Sequence, residues 1–415
     1  MNGFAGLKTL NITKTTVTSF KKSTQPELES IPARVLQALR KVLPDPAKTY
    51  PLHEPEFSGN EWKYVKECID SRMVSSVGSY VDRFERMLEE YTGAKHAVAV
   101  VNGTAGLHIA LKLAGVQPGD EVLVPALTFV ASANAVTYCG ATPHFVDSEE
   151  DTLGMDPDKL AEYLRNHMEQ RSGVCFHRKT GKVVRAMLPM HTFGHPVRLE
   201  ELMRVARDFR IALVEDAAES IGSLYYGKHT GTFGLMGVLS FNGNKTITTG
   251  GGGAILTKDP VLANRAKHLT TTAKLPHAWE YRHDEIGYNY RLPNLNAAVG
   301  CAQVERLPGM LKSKRKLFNS YKSALASVDG LRLFSEPKKC RSNYWLQTIL
   351  LNRERQDQRG GILKKTNDVG IKARPAWELL HELPPFQAAP RADLSGSKTL
   401  YDCLINLPSS AGLGV

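Results

Sequence analysis

Short runs of aliphatic and β-branched residues recur through the middle of the chain, separated by stretches whose apolar positions fall at helical spacing. Residues 97–101 (AVAVV), 121–124 (EVLV), 143–146 (PHFV), 183–188 (VVRAML) and 211–214 (IALV) read as strands, and 238–241 and 254–256 add two more. After the first run, Leu107, Ala110, Leu111 and Ala114 mark one face of a helix. Near-continuous apolar strands alternating with helices are the signature of a mostly parallel sheet, since parallel neighbours need long crossovers that cover both faces. The pattern predicts an α/β fold with helices flanking a central sheet.

Upstream, Trp62, Val65, Cys68 and Ile69 recur at helical spacing, which predicts an amphipathic helix over 59–72. Residues 1–25 contain Lys8, Lys14, Lys21 and Lys22, many Ser and Thr and no acid, a composition that cannot bury a core. They are expected to be a disordered extension. Beyond about residue 307 a basic helical stretch leads to a candidate strand at 344–351 and to turns near Pro375, Pro384 and Pro408. The expected organisation is an N-terminal arm with a large domain over 26–306, then a smaller C-terminal α/β domain over 307–415.

A chain of 415 residues exceeds one ordinary core, which fits two domains. At 42% apolar and 23% charged residues the composition is that of a soluble globular protein. No stretch has the roughly 18 uncharged apolar residues of a membrane span, and no apolar leader precedes a small-residue cleavage site. Cys68, Cys139, Cys175, Cys301, Cys340 and Cys403 form no CxxC pair, so reduced thiols and a cytoplasmic address are expected. The net charge of +11 is spread along the chain without an aromatic-interleaved basic stripe, favouring a phosphorylated small molecule over nucleic acid.

Candidate chemistry gathers at the expected strand exits. The run IALVED ends in Asp216, SFNGNK ends in Lys245 before Gly250–Gly253, and open α/β sheets bind ligands at the carboxyl ends of their strands. An amine and an acid facing one crevice suit pyridoxal phosphate: the lysine forms an imine with the aldehyde, and the carboxylate keeps the pyridine nitrogen protonated. A lysine freed from that bond can then shuttle a proton as base and acid. NGTAG offers the amides of Gly103, Thr104 and Ala105 at a helix start for the cofactor phosphate, with the Ser240 hydroxyl nearby and Phe129 placed to stack on the ring. Taken singly, Lys245 reads as a surface lysine, Asp216 as a turn former, Phe129 as core and the glycine run as a tight turn; their shared position at strand ends joins them. His191 and His195 are four apart, but Pro189, Gly194 and Pro196 forbid the helix that would aim both at one ion, so no metal site is expected.

Five ordered blocks carry a resemblance over 51–410: VNGTAGLHIAL, GDEVLVPALTFVASANAV, LVEDAAES, LSFNGNKTITTGGGGAI and GYNYRLPNLNAAVG. The chain resembles the DegT/DnrJ/EryC1/StrS sugar aminotransferases, and LHEPEFSGNEWKYVKECID with SSVGSYVDRFE makes it similar to the LegC type of legionaminic acid synthesis. The resemblance implies a fold-type I homodimer with active sites at the interface, pyridoxal phosphate, and L-glutamate as amino donor. The acceptor it implies is a UDP-linked 4-keto-6-deoxy-N-acetylglucosamine aminated at C4, with a GDP-4-keto-6-deoxymannose acceptor of the perosamine type as the alternative. It assigns Lys245 to the cofactor aldehyde, Asp216 to the pyridinium, Thr104, Ala105 and Ser240 to the phosphate, Phe129 to the ring, and Asn289 to the phosphate held by a second subunit. Glu219 stands beside the ring where many relatives carry Gln or His.

For the acceptor, Ser75, Ser76, Val77 and Tyr80 are the first candidates, then His191, Lys274, Arg282 and Arg374. Two other readings stand beside this one. A sugar dehydratase or lyase of the same family would have histidine at the Lys245 position, and a non-catalytic regulator would need a DNA-reading module that the sequence does not offer.

Overall fold

The computed structural model describes residues 30–414, so the expectation for 1–25 lies outside the described residues. Its centre is a seven-stranded sheet: β1 (His96–Val100), β2 (Glu121–Pro125), β3 (Thr142–Val146), β4 (Val184–Met187), β5 (Ala212–Asp216), β6 (Met236–Ser240) and β7 (Gly253–Thr257). Their spatial order is β1-β7-β6-β5-β4-β2-β3. Neighbours from β6 through β3 are parallel, whereas β7 runs antiparallel to both β6 and β1. All seven strands lie where the apolar runs predicted them.

Side-chain alternation sends successive residues of each strand to opposite faces. Val98, Val100, Val122, Val124, Val238 and Ile255 enter one core with the helices Gly103–Leu113, Val130–Tyr138 and Pro260–Thr270. Ala97, Ala99, Leu239, Ala254 and Leu256 enter a second, closed by the helices Ser79–Thr92 and Asn294–Leu325. Leu123 and Leu213 reach a third beneath Pro157–His167 and Leu199–Phe209. Burial on both faces accounts for the near-continuous apolar runs.

A second, four-stranded antiparallel sheet pairs Gln347–Leu351 with Leu331–Leu333 and Leu404–Leu407, and the last of these with Arg374–Pro375. Its core takes in Leu39, Ile349, Ile362, Ile405 and, from the long helix, Leu317, Tyr321 and Leu325. That helix spans Asn294–Leu325 and so runs across 306/307, the boundary expected between two domains.

Two local expectations are corrected, and one element joins them. The early helix forms over Glu61–Asp70, but it buries Glu61, Tyr64 and Cys68 against the long helix and leaves Trp62 79% and Ile69 56% exposed. The strand expected from 344 begins at Gln347, because Tyr344 takes a left-handed turn (φ 49°) that stacks its ring on Phe318 at 4.3 Å. A hairpin, Met168–Arg171 with Val174–His177, was not foreseen. No described helix is long and apolar enough to cross a membrane.

Candidate active site

Asp216 closes β5 at the carboxyl rim of the sheet, with 3% of its surface exposed. Ser132 Oγ donates to its Oδ2 at 2.7 Å and the Ala218 N–H to its Oδ1 at 3.1 Å. Burial pushes the carboxyl pKa up, against these two donors. A cationic N–H facing this carboxylate would supply the missing partner charge, which a protonated pyridine does.

Lys245 lies one strand over, in the connection between β6 and β7, with its side chain 11% exposed. Its Nζ donates to Glu219 Oε1 at 3.0 Å and stands 4.0 Å above the centre of the Trp345 ring. Trp345 is fixed in turn: its Nε1–H donates to the Asn244 carbonyl at 2.8 Å and its N–H to Asn343 Oδ1 at 2.7 Å. Glu219 is buried, and desolvation, opposed by Lys245, pushes its carboxyl up to about 7. Its Oε2 accepts the Phe193 N–H at 2.9 Å. Phe193 has a left-handed backbone (φ 55°), strain that a bulky residue accepts only where surroundings enforce it. The next residue, Gly194 (φ 93°), admits no side chain, since a Cβ there would lie 1.9 Å from Asn343 Oδ1.

The cradle expected for a phosphate falls where β1 meets the helix Gly103–Leu113. Asn102 is extended and caps the helix, its Oδ1 accepting the Ala105 N–H at 2.8 Å. The Ala105 amide is therefore spent on the cap, which corrects its expected place among the free donors; the Gly103 and Thr104 amides have no partner among the described residues. A Cβ on Gly103 would meet Ser240 Cβ at 3.0 Å and Oγ at 3.3 Å, and one on Gly253 would meet the Asn102 carbonyl carbon at 2.7 Å. These two glycines let helix start, Ser240 and β7 converge, and the cradle, the buried acid and the lysine together fit pyridoxal phosphate.

Other predicted residues are placed less uniformly. Phe129 begins the helix Val130–Tyr138 with its ring 46% exposed and 6.1 Å from Trp377. His191 is fully buried with Nε2–H donating to Glu215 Oε2 at 3.1 Å and Nδ1 accepting the Val197 N–H at 3.3 Å, so it braces the sheet behind Asp216 and faces no open cleft. Tyr80 is likewise buried, its hydroxyl donating to Glu67 and its ring packed 5.3 Å from Tyr64. Both are corrections, since neither presents a side chain to an acceptor. Ser75 and Val77 are exposed and Ser76 is half-buried, and the Ser75 carbonyl accepts the Asn294 N–H at 2.7 Å. Lys274 and Arg282 face each other across an excursion in which Leu275 N–H donates to the Arg282 carbonyl at 2.8 Å and Lys274 Nζ sits 3.8 Å over the Tyr281 ring. Asn289 Oδ1 accepts from Arg291, and Arg374 is exposed on the second sheet. Ser132, Phe193, Asn343 and Trp345 are not singled out by the sequence: Ser132 lies inside the block GDEVLVPALTFVASANAV without marking itself there, and each acts through a fold contact far away in sequence.

A model of the DegT/DnrJ/EryC1/StrS aminotransferase family matches residues 55–414. Among curated proteins, EpsN of Bacillus subtilis (strain 168), named as a pyridoxal phosphate-dependent aminotransferase, is 38% identical over 338 residues, covering 81% of this chain and 84% of its own. The GDP-perosamine synthase of Escherichia coli O157:H7 is 37% identical over 372 residues, covering 88% and 94%. Among solved structures, the aminotransferase TlmJ from Streptoalloteichus hindustanus superposes with a TM-score of 0.79 at 28% identity, covering 87% of this chain and 94% of that one.

Proposed function

The chain belongs to the DegT/DnrJ/EryC1/StrS aminotransferase family of pyridoxal-phosphate enzymes, and from that premise we propose that it moves the amino group of L-glutamate to C4 of a nucleotide-linked 4-keto-6-deoxy sugar. The observation that carries the reading is Lys245, its amine held between Glu219 and the Trp345 face at the same rim as the buried Asp216. Bound pyridoxal phosphate supplies an electron sink for a carbanion next to nitrogen.

The residues then divide the work. Gly103, Thr104 and Ser240 would hold the phosphate, Phe129 would cover the ring, and Asp216 would keep the ring nitrogen protonated. Lys245 would anchor the cofactor, and its amine, when free, would take up and return a proton as base and then as acid. Glu219, its carboxyl pushed up to about 7 by burial, accepts a hydrogen bond from that amine and holds it in place. Trp345 restricts the amine to one side. Trp279 and Tyr281, each 79% exposed, and Ile286, 85% exposed, support pairing with a second copy, which would bring Asn289, Lys274 and Arg282 to its site.

The E. coli relative named GDP-perosamine synthase supports a GDP-linked 4-keto-6-deoxymannose acceptor over the UDP-linked N-acetylglucosamine derivative that the LegC-type resemblance implies. The test begins with visible absorption before and after L-glutamate, in wild type and Lys245→Ala. A cofactor band that glutamate bleaches, missing from the variant, is expected. A band indifferent to glutamate would replace the donor or point to a lyase. Mass spectrometry of the product from each keto-sugar then decides the carrier, with a stoichiometric yield of 2-oxoglutarate required of either.

A further inference from the structure

Three strands from β5, roughly 14 Å at the usual strand spacing, a second set of chemical side chains converges on the outer edge of the sheet. Glu121 begins β2, His144 lies in β3, and His177 ends the unforeseen hairpin. All three are buried, at 0%, 0% and 4% exposure. Glu121 Oε2 stands 2.8 Å from His144 Nδ1 and 3.0 Å from His177 Nδ1, and the three atoms lie within 4.8 Å of one another. We propose that Glu121, His144 and His177 form a zinc site that clamps the hairpin to the sheet.

The geometry supports an ion at the point of convergence. Zinc bonds of about 2.0–2.1 Å in a tetrahedron set donor atoms roughly 3.3 Å apart, so Glu121 Oε2 needs to move only a few tenths of an ångström from each imidazole nitrogen. Two imidazoles and one carboxylate select zinc over magnesium or calcium, which prefer all-oxygen sets. The supporting contacts are those a bound ion requires: His144 Nε2 is 2.9 Å from the Tyr163 hydroxyl, and Thr180 Oγ1 donates to Glu121 Oε1 at 2.7 Å. Coordination asks only for a tautomer change, each ring moving its proton from Nδ1 to Nε2, that of His144 then donating to Tyr163. A cavity of about 1090 Å³ lies beside the cluster, with His177, Thr180 and Tyr163 in its wall, and offers an ion a route in from solvent. Positions 121, 144 and 177 have no metal-motif spacing, which is why the sequence predicted no metal.

Protein made without a metal-affinity tag and dialysed free of loose ions is expected to hold about one zinc per chain by elemental analysis. Exchange with Co²⁺ should give the d–d bands of a tetrahedral ion, to the red of any cofactor band. His177→Gln should lose the metal while keeping amino-transfer activity, and Tyr163→Phe should weaken zinc binding roughly 10-fold. Should His177→Gln not fold, a chelator added to the wild type must lower its unfolding temperature and zinc must restore it. Less than about a tenth of an equivalent of zinc after incubation with micromolar zinc, together with no Co²⁺ bands, would overturn the proposal and leave a cluster closed by hydrogen bonds alone.

Discussion

Replacing Glu219 by Gln removes a buried charge and leaves the shape, so its effect on stability must change with pH. The carboxyl has a pKa of about 7 in the folded chain against an ordinary 4.5. A raised folded pKa means that the native state binds the proton more tightly than the unfolded state; stability is fully present below 4.5 and is lost as pH rises through 7. The shift of about 2.5 units corresponds to about 3 kcal/mol, already net of the attraction from Lys245. Gln cannot titrate, but it cannot accept from both Lys245 Nζ and the Phe193 N–H with its single oxygen, a loss of about 1 kcal/mol at every pH. Glu219→Gln is therefore expected to be less stable than wild type by about 1 kcal/mol near pH 4 and more stable by about 2 kcal/mol near pH 8.5. Urea unfolding of both proteins without cofactor, so that the Lys245 amine is free, measures the difference directly. Parallel stability curves across that range would refute the reasoning, since they would mean that Glu219 does not titrate there.

Lys314 is wholly buried, its pKa brought down to about 7 by desolvation, and its Nζ donates to His53 Nε2 at 3.0 Å, to the Trp345 carbonyl at 3.2 Å and to the Ser409 carbonyl. Lys314→Met strands these acceptors and should cost about 3 kcal/mol in chemical denaturation, with kcat falling as Trp345 loosens beneath Lys245. Gly253→Ala puts a methyl 2.7 Å from the Asn102 carbonyl carbon, whereas at Gly251 the nearest atom is 4.0 Å away. Cofactor titration should thus show weakened binding for Gly253→Ala and near wild-type binding for Gly251→Ala. Asn102→Ala removes the helix cap and should lower stability by about 1 kcal/mol in a urea titration.

What was legible in the sequence follows from burial. Strands such as Glu121–Pro125 and Met236–Ser240 are covered on both faces, so their composition alone declares them, and Asp216 and Lys245 could be placed within a few residues of the ends of the runs 211–214 and 238–241. The hairpin containing MEQR was not legible, because its first strand is half exposed and mixes charge with apolar residues. The helix Glu61–Asp70 shows the limit of periodicity: two stripes were available, and packing on the long helix chose Tyr64 and Cys68 over Trp62 and Ile69. His191 was misplaced for a related reason. Its position beside a strand end was readable, but the Glu215 carboxylate that turns it inward alternates to the opposite face from Asp216, and a linear chain gives no sign of that partner.

The reversed direction of β7 governs how far the anchoring lysine can travel. Had β7 run parallel to β6, the chain would have left the cofactor rim through a crossover helix; instead, Ser240 and Gly253 stand paired, and the connection between them is pinned where the Phe241 N–H meets the Gly252 carbonyl at 2.8 Å and the Thr249 N–H meets the Phe241 carbonyl at 2.9 Å. A tether closed so tightly at its base cannot swing as a flap. On the proposed role, Lys245 would release and retrieve its cargo by rotating a four-carbon stem, a radius of roughly 6 Å, and its amine would stay near the rim however slowly a substrate arrived.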